Sequence, residues 1–426
     1  MKRWLTAVAW VCASALFAGG MTEQTAPVSD SALHAKLEYW SSYNANENQG
    51  VILQEAADDF MKQNPGVKIT MTFNGRDNRT LATSAIQAGT KVSMMDANAD
   101  NIQVRWSDFL LDLTPYMSQA YPGTNGASLE SCLMPSMMVL DRKLFNGKIG
   151  FVPFLPQAYM ITCNKEIFEK CGITTYPKTW DALLAACKKI KDAGYIPIST
   201  DSFYCNSWLG YYLSRLCGTQ FVERLASEPA LWKDPRVLEG AKAIEQVAKL
   251  GYFDPDIASL VYPTAQQNMV INENIAMYIN GTWLPNEVAA STGDTFRWGF
   301  FAFPTVPNGV DGLESLCYST FGIAVNKNCT QEEVDAAMAF VAFIVTGTYD
   351  QEFADMANAI PVNVKSSWPK NLEEAKVVFD QCTNRYPSQT GFFLNSKSKQ
   401  VITDACLLLM SGKISAEEFV VQASKF

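Results

Sequence analysis

The stretch LEYWSSYNANENQGVILQEAADDFMKQNPGVKITMTF, residues 37–73, contains the pattern that decides the fold class. An apolar run at Leu37–Trp40 is followed by an Asn-rich polar loop, and apolar residues then recur every three or four positions from Val51 to Met61. Asn64-Pro65-Gly66 ends this predicted helix, and residues 67–73 alternate as a half-buried strand does. The order strand, helix, strand predicts an α/β protein with parallel strands.

The same alternation resumes later in the chain. Thr179 is a predicted N-cap for a helix that runs through Lys191, with Gly194 past its end. A chain of 426 residues is too long for a single α/β core, and it predicts two lobes with crossings at 147–156 and 304–316. The other predicted elements are a helix from Asn78 to Gly89, strands at Tyr195–Ile198, Ile275–Ile279 and Phe321–Val325, and a strongly amphipathic helix at Val334–Val345.

The composition excludes several classes of protein. Apolar residues make up 48% and charged residues 18%, as in a packed globular chain rather than a disordered one. A net charge of -9 without a basic run argues against binding to nucleic acid. A single His excludes a His-rich zinc site and argues against His-based catalysis, whereas 12% aromatic residues favour a function that uses aromatic surface.

The N-terminus predicts export. Lys2 and Arg3 precede an apolar run from Trp4 to Phe17, which is the length of a signal-peptide core and too short to span a bilayer. We expect a signal peptide at residues 1–20 and a flexible linker at 21–35. The sequence LFAGG resembles a bacterial lipobox in which Gly20 replaces the Cys that would carry the lipid, so a lipid anchor is expected only if Gly20 replaces a native Cys.

Eleven Cys residues allow two interpretations. Ten of them follow the predicted signal peptide, and none forms a CxxC pair or a Cys/His cluster with zinc spacing. Several lie in apolar runs, where a free Cys behaves as a small hydrophobic residue. Buried thiols are therefore one interpretation, and one or two disulfides are the other. No metal site and no cofactor are predicted.

Six motifs occur in a fixed order along the chain, namely FMKQNPGVKITMTF, LLDLTPYM, GKIGFVPF, YMITCNKEIFEKCGITTYPKTWDALLAACKKIKDAGYIPI, NIAMYINGTWLPNE and FGIAVNKN. Together they resemble the extracellular solute-binding proteins of bacterial ABC transporters, specifically the carbohydrate-binding, maltose-binding-protein-like family. The resemblance covers essentially the whole mature chain. The sequence departs from the family at Lys91-Val92-Ser93, where an acidic residue is more usual.

The resemblance implies a two-lobed periplasmic-binding-protein-like fold of type II. Its ligand cleft lies between lobes joined by a multi-strand hinge. We expect lobe 1 at residues 36–150 with a return segment at 317–360, and lobe 2 at 151–316 with the C-terminal segment 361–426. The implied partners are a carbohydrate ligand and the membrane permeases of an ABC importer. A monomer that binds no nucleic acid and needs no cofactor is expected.

A neutral sugar needs aromatic rings for its C–H faces and planar polar groups for its hydroxyls. Trp283 is the first candidate, because it follows a predicted buried strand and because the family commonly places a sugar-stacking Trp there. Trp208 follows a segment that lines the second lobe in family members, and it is expected to lie in a loop where the two lobes meet. Trp106, Trp180, Trp232 and Trp298 are predicted to be structural. The candidate ligand-binding residues are Trp40, Tyr43, Asn44, Glu47, Asn98, Tyr159, Trp208, Asn280, Trp283 and Tyr318.

Two alternatives remain open at the level of sequence. A secreted glycoside hydrolase would share an aromatic cleft but would add two carboxylates at a fixed separation, and no such pair is identified. A binding protein of the same fold could take a peptide, a polyamine or a phosphate ester. The predicted loops offer aromatic and Asn side chains with Glu47 as the only charge, which favours a neutral ligand and a protein that is not an enzyme.

Overall fold

The computed structural model describes residues 32–292, 295–387 and 396–426. The predicted signal peptide and most of the predicted linker lie outside these residues. In the part of the chain that is described, nine strands form one mixed sheet in the order β2-β1-β3-β8-β4-β6-β5, with β7 paired to β4 and β9 paired to β8. The strands are β1 Ala35–Ser41, β2 Val67–Phe73, β3 Met94–Asn98, β4 Val152–Asn164, β5 Ile196–Ser199, β6 Ile275–Gly281, β7 Trp298–Phe301, β8 Ser315–Val325 and β9 Asn384–Tyr386.

Helices cover the sheet and make up most of the remaining described chain. They are α1 Asn48–Gln63, α2 Asn78–Gln87, α3 Ala99–Trp106, α4 Thr114–Met117, α5 Leu129–Cys132, α6 Pro135–Leu144, α7 Lys165–Lys170, α8 Trp180–Asp192, α9 Asn206–Cys217, α10 Thr219–Leu225, α11 Pro235–Lys249, α12 Thr264–Ile271, α13 Leu284–Glu287, α14 Ala289–Thr292, α15 Gln331–Thr346, α16 Thr348–Ala357, α17 Glu373–Asp380, α18 Ser396–Met410 and α19 Ala416–Ala423. Short 3₁₀ helices lie at Gly75–Asp77, Ser107–Phe109, Pro229–Lys233 and Lys370–Leu372.

The α/β pattern predicted from residues 37–73 is confirmed. Strand β1 pairs in parallel with β2 and β3, and β5 pairs in parallel with β6. The predicted cap of α8 is also confirmed, because the Thr179 hydroxyl accepts a hydrogen bond from the Ala182 backbone N–H at 3.3 Å. Strand β6 continues through Asn280 and Gly281, where the sequence predicts a break.

Two long strands, β4 and β8, connect the two parts of the sheet. Residues 321–325 of β8 pair with β3, and residues 317–323 pair antiparallel with β4. Strand β4 then continues beyond Tyr159 to pair with β6 and β7. The crossing strands therefore lie at 152–164 and 315–325, several residues later than the predicted 147–156 and 304–316. The predicted boundaries of the two lobes stay a prediction.

Helix α15 differs from its prediction as a strongly amphipathic helix. It is buried on almost every side, including Val334, Met338, Phe340 and Val345. The reason is that β1, β4 and β8 cover one side of the helix while α1, α5 and α16 cover the other. A helix that is apolar on all sides is expected where it packs between two layers.

The four Trp residues predicted to be structural are all buried: Trp106, Trp180, Trp232 and Trp298. No helix within the described ranges combines the length and the apolar character that a bilayer span requires.

All ten Cys residues after residue 20 lie in the described chain, and all ten are free thiols in the structure. Six of them are buried, whereas Cys171, Cys217, Cys329 and Cys382 are partly exposed. Burial raises the pKa of the Cys217 and Cys329 thiols to about 11. A raised pKa keeps a thiol protonated and slow to react at neutral pH.

Thiol titration tests this arrangement. The mature chain in denaturant should give ten reactive thiols for each molecule with a thiol-specific chromophore, and reductant should not change its melting temperature. In the native protein only the four partly exposed Cys residues should react in the fast phase of thiol modification, before the buried ones. A count of eight or six in denaturant would show one or two disulfides and would contradict the free thiols.

Candidate functional site

Loops from the carboxyl ends of parallel strands converge on one recess of the molecule. Ligands of open α/β sheets bind at such strand ends. The loops after β1 and β6 meet strand β4 and the end of α16 there. The recess is lined by Tyr43, Gln49, Leu155, Pro156, Gln157, Thr282, Trp283, Ala357, Asn358, Ala359 and Ile360.

Tyr43 forms the wall of the recess that follows β1. Its ring packs against Phe321 at a centroid distance of 5.1 Å. Asp96, in the middle of β3, holds the loop, because its carboxylate accepts hydrogen bonds from the Ser42 backbone N–H at 2.8 Å and from the Tyr39 hydroxyl at 2.9 Å. Burial raises the pKa of Asp96, and these donors lower it.

A charged group stands beside Tyr43. The Arg76 guanidinium lies over the Tyr43 ring at 4.9 Å and donates a hydrogen bond to the Ser42 carbonyl. It also forms a salt bridge with Glu47 at 3.0 Å, and Glu47 accepts a hydrogen bond from the Asn44 amide. The candidates Tyr43, Asn44 and Glu47 thus belong to one network that Arg76 completes.

Trp283 forms the opposite wall, directly after β6. Its half-buried ring meets Tyr159 edge to face at a centroid distance of 4.7 Å, and Tyr159 lies 6.4 Å from the ring of Tyr204. Asp201 holds the loop that carries Tyr204, because its carboxylate accepts hydrogen bonds from the backbone N–H groups of Phe203 at 2.8 Å and Tyr204 at 3.1 Å. This wall therefore contains a row of aromatic rings from three elements, of which Trp283 is half-buried and Tyr159 and Tyr204 are buried.

Glu287 follows Trp283 by one helical turn, and its backbone N–H donates to the Trp283 carbonyl at 3.1 Å. Its carboxylate accepts hydrogen bonds from the Tyr262 hydroxyl and from the Gln266 amide, each at 3.0 Å. Desolvation raises the pKa of Glu287, whereas these two donors and Arg76 lower it. Glu287 is nevertheless exposed to solvent, as expected for a carboxylate on the wall of an open recess.

A third segment, residues 357–360, closes the floor of the recess. Asp350 holds the following residues, because its buried carboxylate accepts hydrogen bonds from the backbone N–H groups of Val362 at 2.9 Å and Asn363 at 3.0 Å. Asn358 adopts a left-handed conformation with φ of 49°, and its side-chain Nδ2 is buried without a hydrogen-bond partner among the described residues. Strained backbone and an unpaired donor are common at ligand sites.

Of the ten predicted residues, Tyr43 and Trp283 line the recess, and the other eight lie outside its lining. Asn98 caps α3 by accepting a hydrogen bond from the Asp100 N–H, and Asn280 is fully buried with its amide bound to Gln266. Tyr318 is buried against Phe379. Trp40 is half-buried in β1, where it packs against the core. Their role as ligand contacts stays a prediction.

The expectation that Trp208 lies in a loop facing the cleft is wrong. Trp208 lies in α9 and is fully buried, with its ring edge to face against Phe253 and Phe303. The physical reason is that α9 begins at Asn206 and is apolar on most of its circumference, so the core takes this indole.

Sequence reasoning missed Arg76, Glu287 and Asn358 at the recess. Arg76 could have been found, because it follows β2 directly and strand ends carry ligand contacts. Glu287 could have been found from its place one turn beyond Trp283. Asn358 had no local signal, since only the return of the chain after α16 brings it to this place.

Comparison with known proteins identifies similar chains. The family model of the bacterial extracellular solute-binding proteins matches residues 44–346. A binding protein of Brucella abortus is 27% identical over 332 residues, which cover 74% of this chain and 73% of that protein. A solved chitin oligosaccharide binding protein is 18% identical with a TM-score of 0.71, covering 92% of this chain and 98% of its own. The solved complex of RafE with raffinose is 17% identical with a TM-score of 0.69, over 92% and 98%. These structural similarities show a shared fold.

The carboxyl group of Asp350 gives a pH test of the loop anchors. Burial raises its pKa to about 6 from an ordinary 3.8, so between these values the native state holds a proton that the unfolded state has lost. Stability from this group is therefore present below about pH 4 and is lost as the pH rises through 6. The free energy of unfolding of wild type should fall relative to Asp350→Asn by on the order of 3 kcal/mol between pH 4 and 7.

Denaturant unfolding of both proteins at four pH values measures this difference. Asp355→Asn removes an exposed carboxylate from the same helix and should keep the wild-type pH profile. Parallel profiles for wild type and Asp350→Asn would contradict the raised pKa.

Proposed function

This chain belongs to the bacterial extracellular solute-binding proteins, and we propose that its solute is a neutral oligosaccharide bound between the two lobes. The family consists of binding proteins, so the chain is not an enzyme and the glycoside hydrolase alternative is set aside. The observation that carries the proposal is a single recess where Tyr43 and Trp283 come from opposite walls.

The chemistry of the recess suits a sugar. The aromatic rings of Tyr43 and Trp283 can bury the C–H faces of a sugar ring. The hydroxyl groups at the edge of the sugar then need polar partners. The amides of Gln49, Gln157 and Asn358 line the same recess. Each amide offers both donors and acceptors, which matches the dual nature of a hydroxyl group. The unpaired Nδ2 of Asn358 is a donor that a ligand oxygen would satisfy.

The exposed rings at the end of the row on the second wall support a ligand with more than one sugar unit. Beyond Trp283, Tyr159 and Tyr204, the row continues to Phe203 at 4.9 Å and then to Tyr262 at 5.7 Å between centroids. Phe203 is 39% exposed and Tyr262 is 42% exposed, so this end of the row is open to solvent. The names of the similar structures, which include a chitin oligosaccharide binding protein and a raffinose complex, point the same way.

We further propose how binding leads to delivery. The ligand contacts both walls only when the lobes are closed, so binding shifts the population toward the closed form about strands β4 and β8. Membrane permeases of an ABC importer then recognise that form. Export through the predicted signal peptide would place the protein outside the cell membrane, and a peptide or polyamine ligand remains the alternative that a binding screen would reveal.

Trp283 provides the sharpest test of the site. Trp283→Ala should weaken the binding of the best neutral oligosaccharide by about 2 kcal/mol or more, which is roughly 30-fold, because it removes one stacking ring. Isothermal titration calorimetry measures the change.

The matched control is Trp368→Ala, which removes another half-buried Trp at a site away from the recess and should leave affinity unchanged. Equal affinity of wild type and Trp283→Ala for every sugar that binds would rule out Trp283 as a contact.

A further inference from the structure

Two opposite charges flank the recess, one on each wall. Arg76 lies over Tyr43, and Glu287 follows Trp283 by one turn, while Tyr43 and Trp283 line the same recess. The salt bridge of Arg76 is to Glu47 on its own wall. Arg76 and Glu287 nevertheless interact through space. Desolvation lowers the pKa of Arg76, but its interactions with Tyr43, Glu47 and Glu287 outweigh this effect.

Both charged groups keep unused bonding capacity. The hydrogen bonds of Arg76 to the Ser42 carbonyl and to Glu47 use two of its five N–H donors, and half of its side chain is exposed. The Glu287 carboxylate accepts one hydrogen bond at each oxygen, from Tyr262 and Gln266, which fixes its orientation and leaves further lone pairs.

We propose that Arg76 and Glu287 act as a charge filter that admits uncharged, hydroxyl-bearing ligands and rejects saccharides that carry a net charge. The inference rests on the proposed function and assigns its specificity to two residues. A hydroxyl group can accept a hydrogen bond from Arg76 while a neighbouring hydroxyl donates to Glu287. A uronate attracted by Arg76 meets Glu47 and Glu287, and an ammonium group attracted by Glu287 meets Arg76. Like charges placed together oppose binding of the wrong partner.

Calorimetric titration of the mature chain tests the filter. The probes are neutral trimers (raffinose, maltotriose and N-acetylchitotriose), the cationic glucosamine trimer and the anionic galacturonate trimer. Wild type should bind at least one neutral trimer and should bind each charged trimer at least tenfold more weakly. Glu287→Gln should raise the ratio of anionic to cationic affinity at least tenfold, and Arg76→Gln should lower it at least tenfold.

The ratio of affinities is insensitive to general damage, because a misfolded variant loses both ligands together. Glu239→Gln and Arg105→Gln remove the same charges from exposed helix positions and should leave the ratio unchanged. Unchanged ratios in both recess variants, or charged trimers that bind wild type as tightly as neutral ones, would overturn the filter alone. Failure of wild type to bind any neutral saccharide would overturn the proposed function and the filter with it.

Discussion

Buried carboxylates that accept backbone N–H groups hold the loops of the recess. Asp96 holds the loop of Tyr43, Asp201 holds the loop of Tyr204, and Asp350 holds the segment after Asn358. Burial raises the pKa of each carboxylate, so each one costs free energy that its hydrogen bonds offset only in part. The result is a set of loops ordered before any ligand arrives, which lowers the entropic cost of binding.

The recess joins two walls that belong to different parts of one continuous sheet. Strands β4 and β8 run through both parts. In the proposed closure a small change in their bend moves Tyr43 relative to Trp283 and leaves each wall intact. Each wall also pairs a ring with a charge, Tyr43 with Arg76 and Trp283 with Glu287. In the proposed closure, two rings and two opposite charges contact the same ligand, which suits a molecule that is apolar on its faces and polar at its rim.

Local patterns in the sequence predict most of this fold. The alternation at residues 37–73 gives β1, α1 and β2, and the Thr179 cap gives the start of α8, because these signals depend on neighbours in the chain. The burial of α15 on both sides and the burial of Trp208 depend on packing between elements that are distant in the sequence. The periodicity of neighbouring residues contains no information about such packing. The residues of the site divide in the same way. Trp283 follows a strand whose end can be predicted from the sequence, whereas Asn358 reaches the recess only through tertiary structure.

The central claim is that the mature chain binds neutral sugar in its folded state. A thermal-shift titration against neutral mono- and oligosaccharides, with peptides and polyamines in the same screen, tests this claim most directly, since a ligand that binds only the folded state raises the melting temperature. The account predicts a saturable rise with at least one neutral oligosaccharide and none with peptides or polyamines. A rise with a peptide or a polyamine, and none with any sugar, would contradict it.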